Sequence, residues 1–221
     1  MPAVAPRRSR QAAILKQLSR PGVSLEKIAH SISKHPRMVP ILIAGLDSDD
    51  ARVKFAAAKT LRLASERAPH LLYPHFDSLA RMLDSDNAIL RWDGAHILAS
   101  LAPADHQERL ELILDRYMDP ITDREMIGAA NCIQDAARIA RAKPHLADPI
   151  AQHILKVEHG IYKTPECRNV VIGHAITAFD EFFREINVPR RDVIEFIQRQ
   201  VKNSRAATAR KAEAFLKKWA S

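Results

Sequence analysis

The chain has 221 residues, 47% of them hydrophobic and 5% aromatic, with a formal net charge of +8. That apolar content supports a packed core and excludes a disordered chain, and no apolar run approaches the ~18 residues of a membrane span. Two cysteines, Cys132 and Cys167, are too few for a disulfide framework, so free thiols and a cytoplasmic setting are expected.

The positive charge is unevenly placed. Residues 1–45 hold 8 basic and 1 acidic side chain, residues 46–187 hold 17 and 22, and residues 188–221 hold 9 and 3. The excess sits at the two ends and the middle is mildly acidic. A groove that tracks phosphates needs Lys and Arg along its length, which this distribution does not supply.

In chain order, residues 1–7 read as a flexible basic terminus. The stretch MPAVAPRRSRQAAILKQL lacks the apolar region of a signal peptide, and none is expected. Residues 8–35 read as two capping helices, Arg8–Ser19 and Leu25–Lys34, broken at Pro21-Gly22. Leu25, Ile28, Ala29 and Ile32 give the second an apolar stripe. Residues 36–221 read as a repeat array that forms one continuous domain with the cap. Leu46–Ala64 (LDSDDARVKFAAAKTLRLA) and Leu83–Leu101 (LDSDNAILRWDGAHILASL) follow one pattern, 37 residues apart. A fixed period of this size marks stacked helical units, none of which can bury its apolar face alone.

Five units follow. Their second helices align at Val53, Leu90, Glu125, Val170 and Ala207. Five residues on stands alanine each time: Ala58, Ala95, Ala130, Ala175 and Ala212. Helix axes at ~8–10 Å leave little room at their closest approach. Leu61, Leu98, Ile133, Ala178 and Phe215 complete the apolar face. Ser48 or Asp49, Ser85 or Asp86, Asp123, Thr164 and Ser204 are the expected helix caps. First helices are expected near 37–46, 70–83, 106–118, 146–158 and 190–203, with Pro36, Pro69, Pro103, Pro144 and Pro189 at the joints.

The segments LDSDDARVKFAAAKTL, LDSDNAILRWDGAHIL and TARKAEAFLKK resemble the HEAT-repeat family over about residues 37–219. Val53-Lys54, Ala57-Ala58 and Leu61 fit the family pattern, followed by Leu90-Arg91, Gly94-Ala95 and Leu98. The resemblance implies an all-α, right-handed α-α superhelix, a HEAT-like solenoid of about five helix pairs plus the N-terminal cap. It implies an inner surface lined by second helices.

Ten histidines invite a search for metal, but no neighbouring pair lies at i+3 or i+4, and HExxH and CxxC are absent. No metal, no cofactor and no catalytic residue are expected. Trp92 shares a slot with Phe55, Ile127 and Ile172 and reads as core. On the inner face, Lys59, Asp93, His96, Asn131 and Asp135 are the candidate partner-binding residues. Tyr162 joins them from a longer connector, His159–Pro165, where it is expected exposed beside Ile161. The functional expectation is a non-enzymatic protein-interaction scaffold with a protein partner. The alternative is a nucleic-acid-binding protein similar to the HEAT-like DNA alkylation-repair glycosylases. Its candidate contacts are Arg7, Arg8 and Arg10 at one end, and Arg210, Lys211, Lys217 and Lys218 at the other. The sequence leaves the oligomeric state open.

Overall fold

The computed structural model describes residues 7–220, with side chains from residue 13 onward. The expected flexible terminus, apart from the helical backbone at Arg7, lies outside the described residues. Among the described residues the fold is all-α with no strand, and no helix is long and apolar enough to cross a membrane. The chain forms two compact units, Met1–Asp105 and His106–Ser221.

The first unit holds α1 (Arg7–Leu18), α2 (Leu25–Ser31), α3 (Val39–Gly45), α4 (Ala51–Ser65), α5 (Pro69–Leu72), α6 (Phe76–Ala80) and α7 (Ala88–Leu101). Helix α4 is its centre and packs against α1, α2, α3 and α7. The turn between α1 and α2 works because Gly22 takes φ +73°, which costs a residue without Cβ little. Ile28, Ala29 and Ile32 of the expected stripe are buried. Val53, Ala57, Ala58 and Leu61 form the buried edge of α4, and Ile97, Leu98 and Leu101 that of α7.

The second unit holds α8 (Arg109–Leu112), α9 (Leu114–Met118), α10 (Met126–Ala142), α11 (Ala147–Leu155), α12 (Pro165–Phe182), α13 (Arg190–Gln200) and α14 (Ala206–Trp219). Here α10 packs on α12, and α12 on α14. Phe179 meets Phe196 edge-on, with ring centres 5.9 Å apart, and Phe183 meets Phe215 at 5.0 Å. Trp219 closes this cluster 5.1 Å from Phe183, and its indole N–H donates to Asp180 at 2.6 Å. The last helix thus ends by covering its own repeat.

Within each pair the two helices differ in continuity. The second members, α4, α7, α10, α12 and α14, are unbroken helices of 14 to 18 residues. Most first members are fragmented. The expected helix 70–83 is α5, a 3-10 turn at Tyr73–His75, α6 and a second 3-10 turn. Pro74 explains the first break, since it has no N–H to donate and its ring crowds the preceding turn. Likewise 106–118 becomes α8 and α9, followed by a 3-10 turn around Pro120.

The caps fall later than expected. Asp50, not Ser48 or Asp49, caps α4 by accepting from the Arg52 N–H at 2.9 Å. Asn87, not Ser85 or Asp86, caps α7 by accepting from Ile89 and Leu90. In both turns the serine hydroxyl instead accepts the N–H of the capping residue, at 3.2 Å. Helices α10 and α14 start at Glu125 and Arg205 without a side-chain cap, so Asp123 and Ser204 do not cap them. Thr164 caps α12 as expected.

Close approach is also shifted by one position in places. Ala58, Ala130, Ala175 and Ala212 are buried, but Ala95 is half-buried. The tight spot on α7 is Gly94, where an added Cβ would lie 2.5 Å from that of Met82. On α4 it is Ala57, whose Cβ lies 3.0 Å from the position a Cβ on Gly45 would take.

Candidate functional site

In the first unit, the exposed and half-buried edge of α4 runs through Arg52, Phe55, Lys59 and Arg62 to its C-cap Glu66, and that of α7 through Ile89, Trp92, Asp93 and His96. Steps of three or four residues place each set on one ridge. Two polar rungs join the ridges. Arg62 Nε lies 2.9 Å from the Asp93 carboxylate, and His96 Nε2 lies 2.8 Å from Glu66 Oε1. Burial pushes the Asp93 carboxyl up, against the pull of Arg62, His96 and Lys59. Three of the candidate residues, Lys59, Asp93 and His96, are therefore brought together. They form a cross-helix lattice, with Asp93 bound to arginine and His96 to glutamate.

Phe55 and Trp92, expected in the core, are half-buried. Ile127 of the same slot is 52% exposed, and only Ile172 is buried. The cause is helix rotation about its axis. On α10 the exposed and half-exposed strip is Ile127, Asn131, Gln134, Arg138 and Arg141.

That rotation corrects a second expectation. Asp135 is 6% exposed rather than outward, and accepts from Arg138 at 3.2 Å. Helix α10 is covered on one side by α12 and on the other by α9, α11 and the turn after α9, so only a narrow strip reaches the surface. Asn131 lies on that strip, half-buried.

Tyr162 is a third correction. It is 8% exposed, and its hydroxyl donates to the Ile121 carbonyl. Burial pushes the phenol well above its usual range. The connector folds inward through this bond and through the Ile161 N–H, which donates to Thr122 at 3.2 Å. Ile161 itself is 61% exposed.

On α14 the sequence singled out Arg210 and Lys211, but the side chains that organise the α12–α14 face include Asn169, Asn203, Arg205 and Thr208. Asn169 donates to Ser204 at 2.9 Å and accepts from Asn203 at 3.1 Å. Thr208 donates to the Asn169 carbonyl, and the Lys211 ammonium donates to the Gly173 carbonyl at 2.9 Å. Gly173 allows this approach, because a Cβ there would lie 2.9 Å from Thr208 Oγ1. A glycine two turns into a helix, matched to a threonine in the next repeat, was the available signal.

Of the basic candidates, the side chains of Arg7, Arg8 and Arg10 lie outside the described residues. Lys218 pairs with Asp180 at 2.8 Å, and its ammonium lies 4.7 Å from the Trp219 ring centre. Arg210 and Lys217 are exposed. Other cations of this end are paired as well: Arg199 with Glu158 and Arg205 with Glu166.

Comparison with solved structures identifies the class of fold. A designed armadillo repeat protein is 14% identical, over 97% of this chain and 94% of its own, with a TM-score of 0.59. An engineered protein solved by the Northeast Structural Genomics Consortium is 15% identical over 96% and 89%, with a TM-score of 0.54. No protein-family model matches the chain, and no curated protein does. The chain is an all-α, armadillo-like helical-repeat protein, and at these identities the likeness extends to fold alone.

Proposed function

We propose that the chain is a non-enzymatic scaffold of HEAT-like repeats that binds an extended segment of a protein partner along its second helices. The observation that carries this reading is the α4–α7 surface. Phe55 and Trp92 are half-buried aromatics beside Lys59, with the Arg62–Asp93 and His96–Glu66 rungs adjoining. Rigid aromatic anchors ringed by polar groups suit protein recognition. The rungs lock their side chains before binding, which lowers the entropy lost on association. The reading also fits the way Asp93 and His96 are used. Asp93 is held by Arg62 and His96 by Glu66, rather than the two being set as an acid–base couple. The HEAT assignment itself rests on the Leu46–Ala64 and Leu83–Leu101 patterns, and a cytoplasmic site on Cys132 and Cys167 being free thiols.

The test is selection from a displayed peptide library against the immobilised chain, followed by affinity measurement on folded variants. The selected peptides are expected to lose about tenfold or more in affinity on Trp92→Ala and on Lys59→Glu, with helical circular dichroism unchanged. Peptides that bind both variants like the wild-type chain would remove this surface from the reading. Tight duplex binding that depends on Asp93, His96 and Asn131 would favour the nucleic-acid alternative.

A further inference from the structure

The second unit carries a concentration of positive charge on its α12–α14 face. Lys211, near the middle of α14, reaches across to α12, where the Gly173 carbonyl accepts from its ammonium at 2.9 Å and from Thr177 Oγ1 at 3.0 Å. That contact brings the ammonium to the backbone beside His174, which is half-buried. Arg205 occupies the N-cap of α14, and its Nη1 donates to Glu166 in the first turn of α12. Helix α14 has no side-chain cap and no acidic residue in its own first turn, and the carboxylate at that end is Glu166 of α12, held by Arg205. Arg210 adds a further exposed cation.

The charges press on one another. Burial lowers the pKa of His174, and Lys211 and Arg205 lower it further. Burial also lowers that of Lys211, with Arg205 adding to the effect. Glu213 on α14 is exposed, and several other acids on the elements packed around α12 are engaged with partners of their own. Asp180 accepts from Lys218 and Trp219, Asp135 from Arg138, and Glu158 from Arg199 and Gln200. Glu181 lies 3.9 Å from Arg141, and Glu166 is the acid in contact with Arg205. One more carboxylate near Lys211 and His174 would relieve a partly desolvated cluster of like charges.

We propose that His174, Arg205 and Lys211 form a receptor for the carboxylate of an acidic side chain in a bound protein segment. This deepens the scaffold reading and rests on it. An acidic peptide fits better than a nucleic acid. The cluster is one helix pair wide and its Arg205 is already in contact with Glu166, so it offers no long run of cations to a chain of phosphates. A single carboxylate needs only the cluster itself, and arginine and lysine give it short charge-assisted bonds.

The probe is a fluorescein-labelled eight-residue peptide rich in glutamate, compared with its glutamine counterpart and with a single-stranded oligonucleotide of equal charge. Anisotropy at low salt is expected to give at least tenfold tighter binding for the glutamate peptide than for the glutamine peptide. Lys211→Met is expected to reduce that binding about tenfold, and Arg205→Gln to weaken it as well. Circular dichroism serves as the folding check. In proton NMR, the His174 ring should titrate at higher pH when the glutamate peptide is bound, because the carboxylate favours the imidazolium. His174→Gln folds without that charge and separates it from packing. Equal binding of the two peptides, an unmoved His174 titration, or tighter Lys211-dependent binding of the oligonucleotide would overturn the proposal. Library peptides that bind through Trp92 but ignore Lys211→Met would overturn this site and leave the scaffold reading standing. Failure of every peptide to bind would remove both.

Discussion

Gly94 faces Met82 so closely that a single added carbon would lie 2.5 Å from the Met82 Cβ. Two effects of opposite sign meet there. Alanine within a helix is favoured over glycine by ~1 kcal/mol. Overpacking against a side-chain root and its backbone, neither of which can swing away, costs ~1–3 kcal/mol. The clash dominates, so Gly94→Ala is expected to lower the melting temperature by several degrees. An unchanged or raised melting point would mean that α6, α7 and the turn between them separate easily.

Tyr162→Phe removes the bond that ties the connector before α12 to Ile121. It leaves a buried carbonyl without that donor, at a cost of ~1–3 kcal/mol. A shift of that size is expected in the denaturant midpoint, together with faster amide exchange at Ile161, whose N–H donates to Thr122. A neutral outcome would show that the connector holds its place through Tyr162 packing alone.

Two histidines are expected to contribute to the acid side of the stability curve. Burial lowers the pKa of His153, helped by Lys156 and opposed by Asp115, and His174 is lowered by burial, Lys211 and Arg205. A lowered folded value means that the unfolded chain takes up the proton first as pH falls. The stability these residues contribute is complete above the ordinary histidine range, about pH 6.5. It is lost as pH drops through the folded values. Urea midpoints at pH 7.5 and 5.5 should therefore differ less in a His153→Gln, His174→Gln double variant than in the wild-type chain. An identical acid loss in both would assign that limb to other groups.

The two thiols should be distinguishable by a maleimide or a disulfide reagent. Cys132 is 2% exposed, its Sγ–H donates to the Tyr117 carbonyl at 3.2 Å, and burial raises its pKa well above the usual thiol range. Cys167 is half-buried in the first turn of α12. One equivalent is expected to react with native protein and the second only on unfolding. Prompt labelling of both would indicate local opening between α9 and α10.

The contrast between what was and was not legible follows from which interactions repeat. Ala57, Ala58 and Leu61 recur as Gly94, Ala95 and Leu98 because the same helix contact recurs, so the all-α repeat fold could be read directly. The caps slipped because a serine can either cap a helix or close the preceding turn. Ser48 and Ser85 close the turn, and Asp50 and Asn87 cap. Asp135 was misplaced because composition does not reveal helix rotation: α10 is rich in alanine, and small residues pack on almost any side. Tyr162 was misplaced because an insertion reads as surface until its hydroxyl finds a backbone acceptor, here Ile121, 41 residues back. The α12–α14 charge cluster was half visible. Lys211 stood among the basic candidates, but His174 did not.

The unequal continuity of the two helix layers bears on how such a chain tolerates change in length. In an unbroken helix one inserted residue turns every later side chain by about 100°. The buried edges of α4, α7, α10, α12 and α14 would then face solvent, so length is fixed there. The segments around Pro74 and Pro120 already change helix type every few residues. An extra residue there would be absorbed before the next turn. Insertions and deletions between related sequences should therefore gather in the proline-broken layer, and the spacing between successive long helices can drift while their packing faces stay in register.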